Sequence, residues 1–230
     1  MRAFYAAYNT RCPMTRATTP LLFLVLFAAA VPTYAQEPPP RIPWFVVDTH
    51  ATVPRFPGNP LLAASRDLML SELPRRGWGV QVGATVYPVR WRALTFGVGG
   101  EFASTLARKV PAALPAGQEQ TLRETEERFR SISPQLSFNF GTGHGWSYIS
   151  AGLANATWSL VPVDRPPIPG DSDKLKTLNY GGGARWFMKS HLAFSFDVRF
   201  YAINPGAPYL DLPGSPRTTL MIIGAGVSVK

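Results

Sequence analysis

The chain has 230 residues, 46% of them hydrophobic, which excludes a disordered polymer and leaves room for one β-rich domain behind a targeting segment. The formal charge of +9 comes from scattered cations with no basic run, which argues against a nucleic-acid binder. A single cysteine excludes a disulfide framework or a cysteine-ligated metal.

Arg2, Arg11 and Arg16 precede an apolar run, Leu21 to Ala30, and Val-Pro-Thr-Tyr-Ala then leads to Gln36. This is a basic segment, an apolar segment too short to span a bilayer, and a small-residue cleavage site, so residues 1–35 read as a signal peptide ending at Ala35. Cys12 leaves with it, and the loss of those three arginines lowers the charge from +9 to +6. Residues 36–43 form a Pro-rich, extended leader. The remainder, 44–230, is the mature domain.

Strand patterns follow one another through that domain. Trp44–Val53 sets Phe45, Val47, Ala51 and Val53 against Asp48 and His50. Trp78–Pro88 sets Val80, Val82, Ala84 and Val86 against Gln81, Thr85 and Tyr87, and Leu94–Thr105 sets Phe96, Val98 and Phe102 against Thr95 and Glu101. Arg130–Phe140 places Ile132, Leu136, Phe138 and Phe140 opposite Ser133, Gln135 and Asn139. Trp146–Trp158 is a fifth strand in which neither parity is cleanly apolar. The stretch from Thr177 to Ile203 holds two more: Leu178, Tyr180, Ala184 and Trp186 face away from Asn179 and Arg185, then Phe194, Phe196, Val198 and Phe200 face away from Ser195, Asp197 and Arg199. Thr218–Val229 is the eighth.

The connections alternate in length. Val89–Ala93, Gly141–Gly145 and Lys189–His191 are tight, whereas Pro54–Gly77, Leu106–Phe129, Ser159–Lys176 and Asn204–Arg217 are long and rich in Pro, Gly and charge. An even number of strands with short turns at one end and long loops at the other is the pattern of a bacterial outer-membrane barrel. After the signal peptide no apolar run is long enough for a helical span, so crossing falls to strands. The expected fold is all-β, an eight-stranded antiparallel up-and-down transmembrane barrel. On this topology and the closing Gly224–Lys230 strand, the chain resembles the small eight-stranded outer-membrane barrels of the outer-membrane protein A transmembrane-domain type and the outer-membrane protein W type. It departs from their pattern at Lys230, where an aromatic residue is usual, and at Pro134, which removes a ladder donor and implies a bulge or a late strand start.

Inside such a barrel, Asp48, His50, Glu101, Arg185, Asp197 and Arg199 would form a packed polar network whose charges must pair. Parity and height suggest an upper Glu101–Arg199 pair and a lower cluster of Arg185 with Asp197 and Asp48. Trp44, Trp78, Trp91, Trp146, Trp158 and Trp186 fall near strand ends, where interfacial aromatic girdles sit. Leu61–Arg76 suggests an amphipathic helix at the barrel mouth, and Gln118–Arg130 a short exposed charged helix. Asp48-Thr-His50 lacks a third ligand or a nucleophile, so no catalytic, metal or cofactor site is assigned.

The functional expectation is a monomeric integral outer-membrane protein acting through its long outer loops, with a closed polar lumen. Its partners would be outer-membrane lipid, the barrel assembly machinery during insertion, and an outside partner the residues do not name. Two alternatives stay open: a narrow channel or small-molecule or lipid carrier of the same architecture, and a secreted soluble β-barrel binder.

Overall fold

Every alternating segment lies in a strand, and the strands pair in chain order until the last meets the first. The computed structural model describes residues 41–230 except 93, 114, 116 and 118. The expected signal peptide lies outside the described residues, as does the leader up to residue 40. Eight antiparallel strands, β1 (Phe45–Arg55), β2 (Trp78–Trp91), β3 (Leu94–Lys109), β4 (Thr125–Thr142), β5 (Gly145–Pro162), β6 (Ser172–Phe187), β7 (Leu192–Ile203) and β8 (Thr218–Val229), form a closed barrel. Closure removes both sheet edges, so every strand has two partners.

The register fixes the tilt. From Asp48 the pairing runs to Gly83, Glu101, Ser133 and, through β5, to Thr177, Ile203 and Thr218. With Pro54 opposite Ile222 on the closing pair, the row returns to β1 ten residues above its start (position 58 against 48). For eight strands this stagger corresponds to a tilt of about 40° and a rise of about 2.5 Å per residue along the barrel axis.

Alternation sorts the wall. Outward residues on every strand are large, apolar and exposed: Val47, Val82, Phe102, Leu136, Ile149, Leu178, Phe196 and Val227 are one from each. With that tilt they form a band about 20–25 Å tall, close to the hydrocarbon core such barrels present. On β5 the outward face changes from Ile149 and Leu153 to Asn155, Thr157 and Ser159 as the strand leaves the band, while Trp146, Tyr148, Ser150, Ala154, Ala156 and Trp158 all face inward. The mixed sequence of β5 thus has one facing throughout.

Two expectations are corrected. The charged run expected as a helix is not helical over its described residues, 119–130: from Thr125 it is strand, with Glu127 and Phe129 inward and Glu126, Arg128 and Arg130 outward. Its alternating charges follow a period of two, which the density of ionic residues disguises. Pro134 marks neither a bulge nor a strand start: it lies within β4 and pairs with Gly100 of β3, and the ladder toward β5 is interrupted between Ile132 and Gln135, where its missing N–H falls, and resumes in the same register.

Candidate functional site

The interior is built in three layers. At the end carrying the short turns, Val46, Tyr87, Trp146 and Phe187 pack with Ile42, which tucks in just ahead of β1. Trp146 stacks on Phe187 with ring centroids 5.1 Å apart and meets Tyr87 edge-on at 6.2 Å. Lys230 closes the edge, its Nζ 4.0 Å from the Phe187 ring centre and bonded to the Gly143 carbonyl at 2.6 Å. Partial burial holds that ammonium below the usual lysine range.

The middle layer is ionic. Arg185 lies on Asp48 through Nε at 2.8 Å and Nη2 at 2.6 Å, and Asp48 takes a third bond from Ser228 Oγ at 2.5 Å. Arg199 reaches Asp197 through Nη2 at 2.9 Å and Glu101 through Nε at 3.0 Å. Glu101 also accepts from Tyr201 Oη and Gln81 Nε2, each at 2.7 Å, and Asp197 from Tyr148 Oη at 2.6 Å. All six charged or titratable residues picked from sequence point into the lumen and are at most 7% exposed. Charges this far from water persist only when paired and hydrogen-bonded, and each carboxylate here has several partners.

One pairing differs from expectation. Asp197 joins Arg199, not Arg185, because Tyr148 stands between them. Its hydroxyl donates to Asp197 while its ring lies 4.1 Å from the Arg185 guanidinium carbon. Gly183 makes room for that tyrosine, since a Cβ there would sit 2.7 Å from Tyr148 Oη. The residual cavity among Asp48, His50, Gln81, Asn139 and Arg185 is about 20 Å³, room for roughly one water.

His50 Nε2 lies 2.8 Å from Ser195 Oγ. The pair has no carboxylate behind it, since Nδ1 bonds no described side chain, and the two residues are 2% and 0% exposed. A hydrolytic Ser–His pair needs an orienting group on the far ring nitrogen and a route for substrate. This one is an interior contact.

The upper layer is apolar. The loop after β1, residues 56–77, folds into the mouth and buries Phe56, Leu62, Ala63, Leu68 and Leu73 against Phe129, Trp158, Leu160, Tyr201, Ile203, Leu220 and Ile222. The expected helix over Leu61–Arg76 is present as one turn, α1 (Pro60–Ala64), capped by Asn59 Oδ1 accepting from the Leu61 N–H at 2.9 Å, and a 3₁₀ turn at Leu70–Glu72. The cap is fastened to the other loops. Arg66 binds Asp173 at 2.5 Å and the Gly170 carbonyl, and Asp173 also accepts from Ser215 Oγ at 2.7 Å. Glu72 accepts from the Arg123 N–H at 2.5 Å, and its own carbonyl accepts from Thr125 Oγ1. Arg165 grips Asp171 with two bonds of 2.7 and 2.8 Å. Arg66 and Glu72 carried no sequence signal, because loop residues lack a period that would mark them as inward, and Asp173, at the outer end of β6, fell in a stretch read from sequence as loop.

The tryptophans divide. Trp44, Trp78, Trp91 and Trp186 are 54–69% exposed on the outer wall. Trp146 and Trp158, expected in the same girdle, are 3% and 1% exposed and lie inside. They share the inward parity of β5: Trp146 belongs to the lower aromatic layer, and Trp158 donates its indole N–H to Glu127 Oε1 at 2.8 Å.

No protein-family model matches the chain, and no curated protein matches it in sequence. Solved structures match it in shape. The attachment invasion locus protein Ail of Yersinia pestis, solved in complex with the heparin analogue sucrose octasulfate, is similar with a TM-score of 0.50 at 12% identity, over 80% of this chain and 96% of Ail. Neisserial surface protein A is similar with a TM-score of 0.49 at 16% identity, over 82% of this chain and 97% of that one. At these identities the likeness is one of fold, that of the small eight-stranded outer-membrane barrels.

Proposed function

We propose that the mature chain is a monomeric integral protein of the bacterial outer membrane, inserted by the barrel assembly machinery, whose lumen is a structural core and whose outer loops meet partners outside the cell. The observation that carries this reading is the apolar band exposed on all eight strands, wrapped around an interior whose middle layer pairs Asp48, Glu101 and Asp197 with Arg185 and Arg199. A soluble binder would leave that band in water, where patches of this size drive association. A channel or carrier needs a continuous path or a pocket, whereas an aromatic layer, an ionic layer and a loop cap succeed one another along this lumen. The cap itself supports the loop-borne role. It is tied down at Arg66 and Glu72, yet turns Leu61, Met69 and Leu70 outward, a preformed surface that loses little freedom on binding.

Expression in a Gram-negative host tests this. The protein is expected in the outer-membrane fraction, migrating faster on a gel unboiled than boiled. Recovery of folded protein from the soluble periplasm would assign the soluble reading instead.

A further inference from the structure

We infer that the outer wall of β4–β6 is a binding site for a phosphorylated lipid of the outer leaflet, its headgroup on a basic rim and a hydrocarbon chain in the trough below. This rests on the outer-membrane reading above and names a ligand for the wall, which that reading leaves as undifferentiated lipid contact.

The rim comes from the register. Arg130 on β4 pairs with Thr157 on β5, which pairs with Lys174 on β6; just below, Ile132, Asn155 and Lys176 form the next outward row. Arg130, Lys174 and Lys176 are all exposed. Two interstrand steps separate Arg130 from Lys174, about 10 Å, so both side chains can reach one phosphate group between them, with the Thr157 hydroxyl beneath it. The neighbouring ionic groups do not neutralise them. Glu126 is held by Arg128 at 2.5 Å, Glu124 is held by Arg108, Asp173 turns inward to Arg66, and β5 contributes no charge to this face. Among the described residues, Arg130, Lys174 and Lys176 form no ion pair. Three cations thus converge without a carboxylate, at the height where the apolar band ends and lipid headgroups begin.

The trough lies lower on the same wall. Ala151 on β5 and Gly182 on β6 leave a shallow, diagonal floor, bounded by Leu136 and Phe138 on β4, Ile149 on β5, Tyr180 on β6, and Val198 and Phe200 on β7. It is an apolar groove of about 580 Å³ on the membrane face, separated from the rim by the exposed side chains of Leu153 and Leu178, along which a chain from the headgroup would run to reach it. A soluble polyanion would use the cations and ignore the groove. A neutral lipid would use the groove and ignore the cations. A phosphorylated lipid uses both, which is why we assign that ligand.

The test uses the mature chain folded in phosphatidylcholine nanodiscs, with native mass spectrometry reading lipid bound on titration with bisphosphorylated lipid A and with the same lipid enzymatically dephosphorylated. Binding at least about tenfold tighter for the phosphorylated form is expected, lost in the Arg130→Ser, Lys174→Ser, Lys176→Ser triple variant. Ala151→Phe, which fills the trough from outside, should weaken both forms by a similar factor while leaving the phosphate preference in place. Equal binding of the two lipids, or an unchanged preference in the triple variant, would overturn the assignment. So would heparin fragments binding through the same three cations while lipid A does not. Heat-dependent gel migration of each variant reports barrel insertion separately, so a failed lipid preference with an intact barrel leaves the outer-membrane reading standing.

Discussion

Arg66 and Asp173 meet over the barrel mouth, the guanidinium from the loop after β1 and the carboxylate from the outer end of β6, 2.5 Å apart and largely out of water. Around them converge the Gly170 carbonyl and Ser215 Oγ, so three of the four outer loops share one polar knot. Arg66→Ala would leave Asp173 without its cation. The expected cost is about 3 kcal/mol, at the low end for a buried pair because Asp173 keeps some solvent. The outcome to look for is selective: protease added outside cuts the 56–77 loop, while the barrel still resists boiling-free gel denaturation. A cap that stays resistant would mean the apolar contacts alone hold it.

The ionic layer predicts an asymmetry. Glu101→Ala removes one partner of Arg199 but leaves Asp197, whereas Arg199→Ala strands both acids. Each single change should cost about 3–5 kcal/mol, Arg199→Ala the more, and the double variant less than their sum. Urea unfolding in lipid vesicles measures all three; an additive cycle would remove the Glu101–Arg199 coupling from the account.

Trp158 and Trp78 should behave oppositely. Trp158→Phe removes the only hydrogen-bond donor Glu127 has among the described residues and leaves a fully buried carboxyl without one, expected to destabilise by about 2 kcal/mol. Trp78→Phe, two-thirds exposed on the outer rim, should change stability by well under half of that. Equal effects would return Trp158 to the girdle.

Conductance is expected to be absent in planar bilayers, and to remain absent when the 58–75 segment is replaced by a short Gly-Ser linker. The Arg185–Asp48 pair and the Trp146–Phe187 stack still close the lumen below the cap. Steady current from the unaltered protein would promote the channel reading.

Orientation follows from loop length. With the one cysteine of the sequence at position 12, Leu210→Cys should react with a membrane-impermeant maleimide on intact cells, and Ser190→Cys only after lysis. The reverse pattern would invert the barrel.

Much of this was legible in the alternation. Strands such as β7, Leu192–Ile203, announce their faces because one side meets lipid and must be apolar throughout. The interior sends a weaker signal, since it is ionic around Asp197 and aromatic around Trp146, and β5 therefore looked unsorted. The inward charges could be named from parity, but their partners depend on tilt and on what lies between, and Tyr148 redirected Asp197 to Arg199. The cap was the least legible part. Leu62, Leu68 and Leu73 are spaced by six and then five, matching neither strand nor helix, and only the barrel mouth makes them one surface.

The strands are not equally tall. β3 through β6 continue beyond the apolar band and stand about 10 Å above the tops of β1, β2, β7 and β8. The mouth is therefore shielded on one flank and open on the other. A bulky molecule sliding along the cell surface can touch the cap from the low side, where Leu61 and Leu210 project at 65% and 85% exposure. Arriving from the high side, it meets a parapet of β-hairpins first. If the loops meet partners outside the cell, as proposed, that contact would be directional, and the two loops on the low flank are the ones a partner or an antibody would read.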